Sequence, residues 1–192
     1  MGVLVAHPDD ETLWAGGIIL SHPDWEWFIA SLCRGSDPDR APKFFRVLTE
    51  FNAHGRMADL DDSPDQPPIS PEIIQHTILT LVGERQFDQI FTHGPQGEYT
   101  RHRRHEEVSA GVFALWEAGQ LVAAELHRFA YGDQGRETMP QARLDADLVV
   151  DLDEVVWQKK YRLVTEFYGF SPQSWEARTT PRTEAFWSLT KS

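Results

Sequence analysis

Cysteine is nearly absent from this sequence, since Cys33 is the only one in 192 residues. A single cysteine cannot form an internal disulfide, and it excludes the zinc motifs that are built from several cysteines. Any metal bound by this chain must therefore be held by nitrogen and oxygen donors. Low cysteine usage is also typical of a reducing compartment, so we expect a cytoplasmic protein.

Basic residues are scarce too, because 18 Lys and Arg face 30 Asp and Glu and give a formal net charge of −12. Nucleic acid binding needs a concentrated basic surface, so this charge argues against DNA or RNA as a partner. No apolar run approaches the roughly 20 residues that a membrane-spanning helix needs, and the first residues do not resemble a secretion signal. We therefore expect neither a membrane span nor secretion.

The length and the hydrophobic share of 41% predict one globular domain over residues 1–192, because domains commonly span about 100 to 200 residues. Apolar runs of strand length alternate with helical stretches, which predicts an α/β fold with a mostly parallel sheet covered by helices on both faces. The predicted strands are 1–6, 25–32, 87–93, 123–131 and 147–152, and the predicted helices are 9–20, 42–57, 71–84, 105–118 and 153–168. Residues 59–71 and 132–142 are predicted as loops that could rim a site, and the tail after residue 171 as a packed wrap over the domain.

Acidic and imidazole side chains are concentrated in the run His7-Pro8-Asp9-Asp10-Glu11, where the first predicted strand ends. Imidazole and carboxylate are ligands that zinc accepts, and a catalytic zinc takes three protein ligands and leaves one position for water. In a first helical turn, consecutive side chains point about 100° apart, so one aspartate can join His7 on a metal while the other faces the water. A metal lowers the pKa of that water to about 7, and a neighbouring carboxylate can take its proton, which is an arrangement for hydrolysis. The alternative is an ordinary acidic helix start.

A third ligand is expected from residues 93–105, which contain His93 and end in His102 and His105 at a spacing of i, i+3. This pair could also be a solvated helix start flanked by arginines. Residues 7–11 supply a histidine and carboxylates, and residues 93–105 supply further histidines. These complementary ligand types favour a metal site over two ordinary helix starts. The other histidines have no acidic or histidine partner at ligand spacing, and we expect them at the surface or in the core: His22, His54, His76 and His127.

The chain resembles the PIG-L/LmbE-like family of zinc-dependent N-deacetylases through residues 5–17, Val-Ala-His-Pro-Asp-Asp-Glu-Thr-Leu-Trp-Ala-Gly-Gly, and through residues 92–105, which include Thr-His-Gly-Pro, Gly-Glu-Tyr and His-Arg-Arg-His. The resemblance implies a Rossmann-like three-layer αβα fold. It implies zinc ligation by His7, Asp10 and His105, with Asp9 as general base and His102 polarising or protonating the tetrahedral intermediate.

The implied reaction removes an N-acetyl group from an N-acetylglucosamine-type sugar or sugar conjugate, with Arg46, Tyr99 and Trp14 as candidate substrate contacts. One departure is Arg103, where the family often has a proline. Two alternatives stay open: an amide hydrolase of the same fold that acts on a non-sugar or natural-product N-acyl substrate, and a non-catalytic metal- or sugar-binding protein. The sequence leaves open whether Zn²⁺ or another divalent ion is bound, and whether the chain forms a homo-oligomer.

Overall fold

The computed structural model describes residues 1–63, 65, 67–99 and 101–191. The strands are β1 (Gly2–Val5), β2 (Phe28–Cys33), β3 (His54–Leu60), β4 (Gln86–Thr92), β5 (Val122–Phe129), β6 (Tyr131–Gly132), β7 (Gln141–Ala142), β8 (Leu148–Asp151) and β9 (Thr183–Thr190). The helices are α1 (Asp10–Ser21), α2 (Arg40–Glu50), α3 (Pro71–Val82), α4 (Arg103–Glu117), α5 (Glu154–Arg162) and α6 (Trp175–Thr179), and a π-helical turn (Leu163–Phe167) continues α5. None of the helices in this described part of the chain has both the length and the apolarity required to cross a lipid bilayer.

Seven strands form one sheet in the order β3-β2-β1-β4-β5-β9-β8. The strands from β3 to β5 are parallel to their neighbours, whereas β9 runs antiparallel to both β5 and β8. Separate apolar clusters lie on the two faces of the sheet: one packs against α1, α2 and the π-helical turn, and the other against α3 and α4. The predicted α/β class with a mostly parallel sheet and helices on both faces is confirmed.

The strand order reverses between β1 and β4, because β2 and β3 extend the sheet on one side and β4 and β5 on the other. At such a reversal the loops that leave the two strands diverge and open a crevice at their carboxyl ends, where ligands bind in open α/β sheets. The register pairs Leu4 with Thr92, so β1 and β4 end at the same level. Both histidine motifs leave the sheet at this crevice.

Helix α1 is tied to the far side of the sheet by a buried ion pair. The carboxylate of Glu184 on β9 accepts hydrogen bonds from the backbone N–H groups of Gly17 and Ile18, at 2.6 and 2.8 Å. It also binds Nζ of Lys160 at 2.7 Å, and both charged side chains are fully buried. A Cβ at Gly17 would lie 2.3 Å from Cδ2 of Leu152, so the close packing here requires glycine.

Two elements differ from their predictions. Residues 42–57 were predicted as one helix, but α2 ends at Glu50 and β3 begins at His54. As the edge strand, β3 is only partly buried along its length, so its sequence lacks the apolar run typical of the inner strands. The tail after residue 171 was predicted as a wrap, yet it contains β9, which pairs within the sheet between β5 and β8.

Candidate active site

Three donor atoms converge beyond the carboxyl end of β1. Nδ1 of His7 lies 3.1 Å from Oδ2 of Asp10 and 3.2 Å from Nε2 of His105, and the last two atoms are 3.3 Å apart. Donor atoms around a tetrahedral zinc, with bonds of about 2.0–2.1 Å, lie about 3.3–3.4 Å from one another. The three residues therefore fit one face of a tetrahedral metal site.

The orientation of both imidazoles is set by carboxylates on their outer sides. Nε2 of His7 lies 3.0 Å from Oδ1 of Asp62, and Nδ1 of His105 lies 2.6 Å from Oε2 of Glu98. Because an ionised carboxylate only accepts, a proton on the outer nitrogen of each ring satisfies Asp62 or Glu98 and leaves the lone pair of the inner nitrogen for a metal. Carboxylates in this position are typical of metal-binding histidines, since they fix the tautomer and the ring orientation.

Glu98 contacts both His93 and His105 because the loop after β4 turns back sharply. Gly97 makes this turn with φ of 74°, a conformation that glycine adopts without steric cost. Oε2 of Glu98 also contacts Nδ1 of His93 at 2.9 Å. Burial opposes ionisation, but the neighbouring His93 and His105 lower the pKa of Glu98 to about 2.

His93 has a structural role. Its Nε2 accepts a hydrogen bond from the backbone N–H of Ala6 at 2.9 Å, which occupies the lone pair that a metal would need. Its ring stacks on His105 with the centroids 3.9 Å apart. His93 therefore connects the ends of β1 and β4 and supports a ligand, although it also lies within ligand distance of Asp10.

Asp9 lies beside the three donors in a strained conformation, with φ of 126° and ψ of −29° at the N-cap of α1. Its Oδ2 accepts a hydrogen bond from the Arg40 guanidinium at 3.2 Å. Burial and the adjacent Asp10 raise the pKa of Asp9 well above its usual range, although Arg40 opposes this. For Asp10 burial acts in the same direction, but His105 and His93 outweigh it and hold the pKa of Asp10 well below its usual range. The raised pKa of Asp9 suits a general base, whereas the lowered pKa of Asp10 keeps it ionised, which suits a metal ligand.

His102 precedes α4 and stacks on His105, with the ring centroids 4.3 Å apart. Its Nδ1 is buried and has no hydrogen-bond partner within the described ranges of the chain. Burial, together with the charges of His105 and His7, lowers the pKa of His102 to about 4. A neutral imidazole at this position can donate one proton and accept another.

A cavity of about 400 Å³ opens beside these groups. The predicted ligand His105 is buried and does not line it. The lining combines the other four predicted catalytic and ligand residues with side chains from loops and from α6: His7, Pro8, Asp9, Asp10, Leu13, Arg34, Arg40, Asp62, Ser63, Tyr99, His102, Trp175 and Glu176. Four carboxylates face two guanidinium groups in this lining, so the cavity favours a neutral or cationic ligand over an anion.

The three predicted substrate contacts occupy different environments. Tyr99 lines the cavity. Trp14, in contrast, is 0% exposed and presents no face to a substrate. Its Nε1 donates a hydrogen bond to Oδ1 of Asp10 at 3.1 Å and so holds that carboxylate in place. Arg46 lies outside the cavity with its guanidinium over the ring of Phe167.

Sequence reasoning missed several lining residues. Asp62 and Ser63 come from the predicted rim loop, where the Asp-rich composition gave a general signal but no specific residue. Arg40 also lies in the cavity, where its guanidinium is bound to Asp9. Trp175 reaches the site from α6, and nothing in its local sequence distinguishes it from a core tryptophan.

Comparison of the sequence with protein-family models and with curated proteins gives no match. The fold, however, matches solved structures of α/β enzymes over almost the whole chain. The N,N'-diacetylchitobiose deacetylase from Pyrococcus horikoshii has a TM-score of 0.72 at 16% identity, covering 98% of this chain and 84% of that one.

The zinc-inhibited form of the teicoplanin deacetylase Orf2 has a TM-score of 0.69 at 12% identity, with 100% of this chain and 99% of the other covered. GalB, the 4-carboxy-2-hydroxymuconate hydratase from Pseudomonas putida KT2440, has a TM-score of 0.65 at 16% identity, with 100% and 96% covered. The resemblance to PIG-L/LmbE-like deacetylases is thus confirmed at the level of the fold, and the same fold also carries a hydratase.

Proposed function

We propose that this chain is a metal-dependent hydrolase that removes the N-acetyl group from an amino sugar or sugar conjugate. The observation that carries the proposal is the triangle of lone-pair donors formed by His7, Asp10 and His105, with edges of 3.1 to 3.3 Å. Three such atoms held this close repel one another unless a metal cation or a proton lies between them. The deacetylases among the structures of the same fold support the reaction class.

A divalent cation held by these three residues would supply Lewis acidity and lower the pKa of water to about 7. The chain's own residues then carry out the proton transfers. The carboxylate of Asp9 takes a proton from the water that attacks the acetyl carbonyl carbon. Arg40, hydrogen-bonded to the same carboxylate, holds it toward the cavity.

The neutral ring of His102 suits the other half of the reaction. As the carbonyl oxygen gains negative charge, an N–H of His102 donates a hydrogen bond to it. The amide C–N bond then breaks, and the leaving nitrogen takes up the proton that Asp9 removed from water. The products are acetate and the free amine.

With a divalent cation bound, the four carboxylates of the lining balance the two guanidinium groups and the cation, so the cavity suits a neutral N-acetylated sugar as substrate. A second candidate function is hydration of an unsaturated carboxylic acid, because GalB has the same fold. A polycarboxylate substrate needs unpaired cations, but Arg34 and Arg40 of the cavity are already paired with Asp62 and Asp9. Hydration is therefore the weaker candidate.

The test measures metal content and amine release from a panel of N-acetylated sugars, before and after chelation and after restoring Zn²⁺ or another divalent ion. We expect amine release that chelation abolishes and metal restores. The matched variant Asp10→Asn, which loses one donor charge, should lose both the metal and the activity. Turnover of an unsaturated polycarboxylate without amine release from any sugar would favour the hydratase, and bound metal without any turnover would favour a binding protein.

A further inference from the structure

Residues 163–170, which we call the π-segment, follow α5 and contact two partners of Asp9. The end of this segment is closed by backbone hydrogen bonds from the N–H groups of Tyr168 and Phe170 to carbonyl oxygens of the π-helical turn, at 2.9 and 3.2 Å. Tyr168 is buried, and two apolar side chains of the turn are buried with it in the same core cluster. π-Helical turns are often found at functional sites. The π-segment is thus a fixed support from which Tyr168 and Phe170 extend.

Tyr168 reaches the backbone of Asp9 through the carboxylate of Glu11. Its hydroxyl donates a hydrogen bond to Oε1 of Glu11 at 2.7 Å. The other oxygen of Glu11, Oε2, accepts a hydrogen bond from the backbone N–H of Asp9 at 3.0 Å. Glu11 is fully buried and also accepts from the hydroxyl of Thr12. Because donors engage both oxygens of this buried carboxylate, Tyr168 fixes the acceptor to which the strained backbone of Asp9 is tied.

Phe170 reaches the side chain of Asp9 through Arg40. The Arg40 guanidinium lies over the Phe170 ring, with its Cζ 4.5 Å from the ring centroid. A guanidinium within about 6 Å of a ring centroid is attracted to the face of the ring. The same guanidinium donates a hydrogen bond to Oδ2 of Asp9 at 3.2 Å. The π-segment therefore acts on the backbone of Asp9 from one side and on its carboxylate from the other.

We propose that Tyr168 and Phe170 are positioning residues that keep the Asp9 carboxylate directed at the water it deprotonates. The proposal rests on the deacetylase function above. Neither residue is among the described residues that line the active-site cavity, so both act through Glu11 and Arg40. A backbone with φ of 126° persists only where its surroundings hold it. Without the π-segment contacts the carboxylate turns away, and a misplacement of about 1 Å can cost up to about 10²-fold in rate.

The first test measures amine release from N-acetylglucosamine by the metal-loaded Tyr168→Phe and Phe170→Leu variants. We expect each substitution to lower kcat about tenfold and to leave KM and metal content unchanged, because neither residue touches substrate or metal. The matched control is Tyr161→Phe, which removes the hydroxyl of a half-buried tyrosine on α5 whose ring stacks on Trp157 with the centroids 5.3 Å apart. Its kcat should equal that of the wild type. A rise in KM with kcat unchanged would overturn the positioning role.

The second test separates positioning of Asp9 from a general loss of structure. Effects that act through one residue disappear once that residue's function is removed. Tyr168→Phe should therefore lower kcat about tenfold in the wild type but leave the residual kcat of Asp9→Asn unchanged. An equal loss in both backgrounds would show that Tyr168 acts elsewhere and would overturn the proposal.

A third readout needs neither metal nor turnover. Amide hydrogen exchange in the metal-free protein should be about tenfold faster at Asp9 in Tyr168→Phe than in the wild type, and unchanged in Tyr161→Phe and at the amides of α3. Unchanged exchange at Asp9 overturns the proposal. Faster exchange at Asp9 in a protein that releases no amine from any sugar would overturn the deacetylase and retain the link between the π-segment and Asp9. Amine release with wild-type kcat in Tyr168→Phe would overturn the positioning role alone.

Discussion

The Asp62 carboxylate accepts a hydrogen bond from Nε2–H of His7 and so directs the opposite nitrogen of that ring toward Asp10 and His105. Its second oxygen binds the Arg34 guanidinium at 2.6 Å, which holds the carboxylate in place. His7 and Arg34 lower the pKa of Asp62 to about 2 despite its partial burial, so the carboxylate is ionised at neutral pH. The orientation of His7 thus depends on Asp62, a loop residue 55 positions away in the sequence.

Asp62→Asn should weaken metal binding about tenfold or more, because removing the carboxylate partner of a metal-binding histidine typically costs 10- to 100-fold in affinity. Competition with a chromophoric chelator measures this. Asp59→Asn, at the end of β3, removes the same charge from a carboxylate that accepts from the Ser36 N–H, and it should leave the affinity unchanged. Equal affinities for the two variants would contradict the role of Asp62.

Asp9→Asn should lower kcat about 10²- to 10⁴-fold, the usual contribution of a general base. Metal content should stay at the wild-type level, because Asp9 is not one of the three converging donors. Amine release and metal analysis on the same preparation check both statements. Wild-type activity in Asp9→Asn would rule out the proton transfer assigned to this residue.

The backbone strain at Asp9 predicts an unusual order of stability. A conformation with φ of 126° costs a residue with a Cβ about 1–3 kcal/mol, whereas glycine adopts it freely. Asp9→Gly should therefore be more stable than Asp9→Ala by about 1 kcal/mol, although alanine is the more stabilising residue at ordinary helix positions. Both variants lack the carboxylate, so urea denaturation compares the effect of the Cβ alone. Greater stability of the alanine variant would mean that Asp9 is not strained.

Gly16 and Gly17 form a second matched pair. A Cβ at Gly17 would lie 2.3 Å from Leu152 and 2.8 Å from Glu184, but one at Gly16 would meet Lys160 at an ordinary 3.4 Å. We expect Gly17→Ala to lower the free energy of unfolding by about 1–3 kcal/mol through overpacking. Gly16→Ala should be neutral or raise it by up to about 1 kcal/mol through helix propensity. Thermal and urea unfolding distinguish the two, and equal effects would show that Leu152 moves away at little cost.

The buried pair of Lys160 and Glu184 should be costly to break. Lys160→Met leaves the Glu184 charge buried and should lower the free energy of unfolding by about 3–5 kcal/mol. Lys159→Met removes the exposed neighbouring charge on α5 and should change it by less than about 0.5 kcal/mol. Urea denaturation of both variants gives the comparison, and a difference below about 1 kcal/mol would mean that the backbone N–H groups of Gly17 and Ile18 suffice to hold Glu184.

Local patterns predicted the inner strands and the motif residues, because β1 is an apolar run, β4 carries Phe87, Ile90 and Phe91, and both strands end at the site. The loops after these strands meet at the reversal of strand order, which is why His7, Asp10, His102 and His105 lie together in the structure. The other predictions failed because those features depend on contacts between residues that are distant in the sequence. Glu184 is a charged residue within β9, so the local sequence of β9 does not look like that of a core strand. The residues that bind Glu184 lie on α1 and α5. The local sequence does not distinguish Trp14 from Trp175. Only the packing around each ring in the folded chain determines that Trp175 lines the cavity.

The position of β9 also bears on how this chain folds during synthesis. β8 pairs with β9 at the sheet edge, and their paired residues Asp151 and Thr183 are 32 positions apart, so β8 leaves the ribosome well before its partner. Glu184 of β9 fixes Gly17 of α1 across 167 positions. Helix α1 therefore gains this anchor only after β9 has emerged from the ribosome, and Asp10 at its start is fully supported only from that point on.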